Sequence, residues 1–160
     1  MNVSKNYKVS ELVHPAYIDQ WGVDKVGKYI KKYFPDMIEG QQRLREFVGA
    51  PVTVNNYHWG SAYKQYGWKG IEGRRDLRIN SGLRHLSYPL GKGFSGHYFG
   101  ICTDSQQDKY TSLELQNLIL ENIHRHPHIV RMEDAAYTPT WLHIQWGYRP
   151  HGQEIDVFKP

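Results

Sequence analysis

The most regular spacing of apolar side chains in this chain of 160 residues lies between Thr111 and His126. Leu115, Leu118, Ile119 and Ile123 recur at three- and four-residue intervals and so share one face of an amphipathic helix. Thr111 and Glu114 have the spacing of a capping box, and Pro127 ends the helix. Beyond Pro127 the period changes to two. Ile129–Glu133, Trp141–Trp146 and Glu154–Phe158 read as strands, the first two joined by the turn-like run Asp-Ala-Ala-Tyr-Thr-Pro-Thr. Upstream, the chain to about Phe34 reads as short helices. Ser10 is placed to cap a first helix that stops at Pro15, and Val23, Val26, Tyr29, Ile30 and Tyr33 form an apolar face with Lys25, Lys28 and Lys32 on the solvated side. Asp36 and Glu39 predict a second capping box, for a helix through Leu44 and Phe47 that ends at Gly49. Pro51–Val54 reads as a short strand. Helices first, then strands around one late helix, predict an α+β fold: a single domain over residues 1–160 with a mostly antiparallel sheet and flanking helices.

Residues 55–76 are rich in Gly, Asn and aromatic side chains (Tyr57, Trp59, Tyr63, Tyr66 and Trp68) and read as a long ordered loop, which in a compact domain tends to be functional. Leu77–Asn80 leads into Ser-Gly-Leu-Arg at 81–84, and a second Gly-rich stretch runs to Phe94. In the late strands parity assigns the faces. Leu142, Ile144 and Trp146 make a core face, which leaves Trp141, His143 and Gln145 on the other. Val130 and Met132 are expected in the core, so that Arg131 and Glu133 join His143. A hairpin centred near Tyr137–Pro139 brings Glu133 opposite His143.

Composition narrows the chemistry. With 39% apolar and 22% charged residues the chain has the makeup of a globular domain in water, and no run approaches the roughly 18 apolar residues of a membrane span. The first residues lack the apolar centre of a secretory signal, so synthesis in the cytoplasm without standard export is expected. The net charge of +4 suits an anionic partner, yet the basic residues are scattered, with no arm or motif for nucleic acid. One cysteine, Cys102, excludes an intrachain disulfide and leaves any metal to histidine and carboxylate. His97 and Asp104 stand seven positions apart in Ser-Gly-His-Tyr-Phe-Gly-Ile-Cys-Thr-Asp, and His143 and Glu133 follow. Two histidines, one carboxylate ligand and a further carboxylate are the parts of a hydrolytic zinc site: His97, Asp104 and His143 hold the ion, and Glu133 serves as general base. Arg84 can grip a substrate carboxylate through its planar fork. Cys102 is expected to pack as a small apolar side chain; His14, His85, His124, His126, His128 and His151 are expected to be structural or exposed, and the alternation at 124, 126 and 128 has no matching carboxylate.

Ser-Gly-Leu-Arg, then S-G-H-x-x-G-x-C-x-D at 95–104, then Glu133-Asp134 and Trp141-Leu142-His143 resemble the zinc peptidases related to D-alanyl-D-alanine carboxypeptidases. That family includes vancomycin-resistance dipeptidases, several bacteriophage endolysins and the hedgehog signalling domain. The opening Ser-Lys-Asn-Tyr-Lys-Val-Ser-Glu-Leu-Val-His-Pro, Pro-Val-Thr-Val-Asn-Asn-Tyr-His-Trp-Gly and the closing Glu-Ile-Asp-Val-Phe-Lys-Pro look like a phage and bacterial branch of small cell-wall peptidases. The resemblance implies a hedgehog/DD-peptidase-like fold, zinc on His97, Asp104 and His143, Glu133 as catalytic base, and Arg84 and Ser95 in contact with substrate. It also implies a peptide bond of peptidoglycan as substrate, phage virion proteins as further partners, and a place in the virion or at the cell wall. The chain departs from the family pattern at three points. Cys102 replaces the usual Ala, Gln145 stands where an acidic residue often follows the distal histidine, and ten positions separate Glu133 from His143. The last two departures leave open a second reading, a catalytically silent zinc-binding or virion structural protein that keeps the fold.

Overall fold

The computed structural model describes residues 1–13, 15–54 and 101–159. Four helices come first: α1 (Val9–Leu12), α2 (Pro15–Trp21), α3 (Val23–Tyr33) and α4 (Pro35–Val48). Strand β1 (Thr53–Val54) follows, then β2 (Cys102–Gln106), α5 (Ser112–Glu121), a 3-10 turn (Ile123–Arg125), β3 (Ile129–Glu133), β4 (Leu142–Trp146) and β5 (Asp156–Phe158). The strands make one five-stranded sheet in the order β1-β2-β4-β3-β5, antiparallel throughout except where β5 lies parallel to β3. The fold is α+β, as the order of patterns predicts.

Caps decide where several helices start and stop. Thr111 Oγ1 accepts from the Glu114 amide at 3.2 Å and the Glu114 carboxylate accepts from the Thr111 amide at 2.8 Å, so α5 begins with the predicted reciprocal box. The helix ends earlier than its apolar spacing suggests, because Asn122 Nδ2 donates to the Leu118 carbonyl and the chain tightens into the 3-10 turn. Gly49, at φ 67°, closes α4 in the left-handed region as expected. The other two predicted caps are corrected. Pro35 occupies the first turn of α4, where its fixed φ and missing N–H are tolerated, so the helix starts before Asp36 can cap it. Helix α1 starts after Lys8, whose amide donates to the Glu11 carboxylate at 2.7 Å; Ser10 lies inside the helix, which ends at Leu12.

One buried apolar cluster joins the layers: Tyr7, Val9, Leu12, Ile30, Leu44 and Val48 from the N-terminal half, and Leu115, Ile119, Ile129, Met132, Leu142 and Ile144 from the rest. Of the expected α3 face, Val26 and Ile30 are buried, whereas Val23, Tyr29 and Tyr33 stand exposed. Helix α4 lies across the core face of the sheet. Gly40 meets the Trp146 ring so closely that an added Cβ would stand 2.5 Å from it. Beside it the buried Gln41 bonds to Thr103 Oγ1 at 3.2 Å, to Ser105 Oγ at 3.2 Å and to the Tyr7 hydroxyl at 3.3 Å. Trp146 Nε1 also donates to Thr103 Oγ1 at 2.8 Å. These bonds let β2 bury two hydroxyls on its core face without leaving them orphaned.

Candidate functional site

Alternation along β2 and β4 turns the residues between those buried positions to the opposite face of the sheet. Two rows of side chains cross that face. In the first, Asp104 pairs with His143 and Glu133 pairs with Phe158; the register that sets Met132 against Ile144 carries Glu133 beside His143. In the second, Cys102 faces Gln145, Gln145 faces Arg131, and Arg131 faces Asp156. The β3–β4 register centres the hairpin within Tyr137–Pro139, as the parity argument expects.

The β3 core positions differ from expectation by one residue. A bulge between Ile129 and Arg131 buries Ile129 against Trp146 and leaves Val130 half-buried, while Met132 keeps its core place. The extra residue is absorbed before Arg131, so the parity of Arg131 and Glu133 is preserved.

His143 Nδ1 lies 2.8 Å from Asp104 Oδ1, both groups largely shielded from water. Burial lowers the basicity of the imidazole, but the Asp104 carboxylate and the neighbouring Cys102 sulphur outweigh it and raise its pKa to about 10. Burial also moves the Glu133 carboxyl above the usual carboxylate range, opposed by His143 and reinforced by Asp104. Cys102 is buried, as a packing role requires. The Phe158 ring meets the His143 ring edge-on, with centroids 6.3 Å apart. Arg131 extends over the other side of this corner, its guanidinium carbon 4.3 Å from the Phe158 centroid and its Nε 2.6 Å from Asp156 Oδ2.

Glu133 is held from behind. Gln116, buried on α5, donates to the Glu133 carbonyl at 2.8 Å and accepts from the Ala135 amide at 3.2 Å. The Asp134 amide donates to the Phe158 carbonyl at 2.8 Å. Neither Gln116 nor the pair Asp156 and Phe158 stands out in the sequence; only the alternation of the last strand hints that Asp156 and Phe158 share a face.

His97, Arg84 and Ser95 lie outside the described residues, as do the aromatic residues Tyr57, Trp59, Tyr63, Tyr66 and Trp68. Among the described residues no set of three metal-binding side chains converges. Asp104 and His143 nevertheless suit zinc in chemistry and in spacing. Oxygen and nitrogen donors at about 2.0–2.2 Å and a tetrahedral angle stand about 3.3 Å apart. The observed pair therefore needs to part by only about half an ångström to admit the ion. One histidine expectation is corrected: His128 does have carboxylates, with Nδ1 3.0 Å from Asp36 Oδ1 and Nε2 3.6 Å from Glu39 Oε1. It ties the start of α4 to the start of β3.

A scan against protein-family models, a search of curated proteins and a search of solved structures each give no match to this chain.

Proposed function

We propose that this protein is a zinc-dependent hydrolase that cleaves a peptide bond in peptidoglycan stem peptides or cross-links. Its ligands are His97, Asp104 and His143, and its general base is Glu133. The observation that carries this reading is the row Asp104–His143–Glu133, in which three adjacent strands set a carboxylate, an imidazole and a second carboxylate side by side. Two of the three expected ligands touch, and the strand register sets Glu133 on the far side of the histidine. A zinc ion bound there supplies Lewis-acid polarisation of a carbonyl and a lowered pKa for water. Glu133 then takes the proton of the attacking water and returns it to the leaving amine. Arg84 and Ser95 are assigned to substrate on the motif alone. A virion-borne or released wall hydrolase fits a mildly basic chain acting on an anionic wall.

The test is turnover of purified muropeptides by wild type and by Glu133→Ala, with bound metal measured in both. Cleavage by wild type, with a loss of about 100-fold or more and zinc retained in the variant, is the expected result. No cleavage by a fully zinc-loaded wild type sinks the enzyme and leaves the catalytically silent zinc protein. Stoichiometric zinc in His97→Ala or His143→Ala overturns the ligand assignment.

A further inference from the structure

Among the described residues, Arg131 is the cation placed on the candidate site's face by its strand pairing with both Gln145 and Asp156. Its surroundings hold it in one attitude. The guanidinium lies over the Phe158 ring at 4.3 Å, and Asp156 Oδ2 stands 2.6 Å from Nε without an aligned N–H···O bond. Stacking on a ring fixes the plane of the fork, and a carboxylate on the Nε side fixes its rotation. Among the described residues, the two terminal nitrogens Nη1 and Nη2 have no hydrogen-bond partner. The side chain is 44% exposed, so this end of the fork reaches water.

We infer that Arg131, backed by Phe158 and Asp156, forms a subsite for a carboxylate of the bound peptide. The inference rests on the peptidase reading for the identity of the peptide. The Phe158 ring meets both groups, 6.3 Å from the His143 ring and 4.3 Å from the guanidinium. An extended peptide advances about 3.3–3.6 Å per residue, so the carboxylate belongs to a residue within about three positions of the scissile bond. An end-on fork accepts a carboxylate through two parallel N–H···O bonds, which a lysine cannot reproduce.

The experiment uses the zinc-loaded full chain carrying Glu133→Gln, titrated calorimetrically with the stem tetrapeptide L-Ala-γ-D-Glu-L-Lys-D-Ala. One form of the peptide has both carboxylates free and the other has both amidated. The free acid binds at least about tenfold more tightly, and Arg131→Met removes that preference. Arg131→Lys restores only part of it. Asp156→Asn, which removes the carboxylate that sets the fork's rotation, weakens it. Equal binding of acid and amide, a preference that survives Arg131→Met, or one that Asp156→Asn leaves unchanged overturns the subsite. Hydrolysis by the wild type is scored apart. Turnover without acid preference refutes the subsite alone; acid preference without turnover refutes the peptidase alone.

Discussion

The side-chain amide of Gln116 donates to the main-chain carbonyl of Glu133 at 2.8 Å, across 17 residues of sequence. Its oxygen accepts from the Ala135 amide as well, so one buried side chain on α5 closes both backbone groups where β3 runs out. Gln116→Leu keeps the volume and orphans both groups. It is expected to cost roughly 2 to 4 kcal/mol, read from the urea midpoint at constant slope. A change below about 0.5 kcal/mol would mean that the strand end is held by other contacts.

Gly40 is the point of closest approach between α4 and the sheet. An added Cβ meets Cε3 and Cζ3 of Trp146 at 2.5 Å and the Cβ of His128 at 2.9 Å, on a ring that is itself packed and bonded. Gly40→Ala improves helix propensity by about 1 kcal/mol and yet is expected to destabilise by about 1 to 3 kcal/mol net. Thermal unfolding decides it: a raised Tm would show that the indole moves aside freely.

Burial first, then the charges of Arg125 and Arg149, push the His126 imidazole down to about 4. The unfolded chain takes up this proton near pH 6.5 and the folded chain only near 4. The stability contributed by the neutral ring is therefore complete above about pH 6.5, drains away between about 6.5 and 4, and is gone below that. The loss across this window is about 3 kcal/mol. His126→Leu removes the titrating group and also a buried Nε2 with no partner, so its urea midpoint should fall less between pH 7 and pH 4 than that of the wild type. Parallel curves for the two proteins would rule the group out.

Thr111 supplies the N-cap of α5, the helix that carries Gln116. Thr111→Ala leaves the Glu114 amide without its acceptor and is expected to cost about 1 kcal/mol. Thr111→Ser should recover most of it. Equal urea midpoints for the alanine and threonine chains would remove the cap from the account.

The elements that the sequence makes legible are those whose periodicity agrees with their burial. β4 is one: Leu142, Ile144 and Trp146 alternate with His143 and Gln145, and the strand packs accordingly. β2 is not, because its buried pair is Thr103 and Ser105, polar residues that enter the core only because Gln41 is there to bond them. No local pattern announces a partner 62 residues away. The β3 bulge is hidden for a different reason. Ile129 and Val130 suit the core equally well, and only the register against β4 chooses between them. In the candidate site, the placement of Glu133 beside His143 follows from strand parity alone, since an extra residue inserted before Arg131 leaves it untouched. The pairing of Asp104 with His143 needs β2 as the third strand, and the roles of Asp156 and Phe158 need the parallel addition of β5.

Strands β1 and β2 are hydrogen-bonded neighbours, Val54 opposite Ser105, although the sequence between them runs from 55 to 101. The end of β1 and the start of β2 therefore lie at the same end of this strand pair, beside Asp104. Closing a connection of this kind grows costlier only slowly with its length, by about 0.6 kcal/mol for each doubling. Selection can therefore change the length of the stretch before Arg84 while keeping Arg84, Ser95 and His97 at their fixed distances in sequence from Asp104. New specificities can be tried in a lineage without first rebuilding the scaffold that supports them.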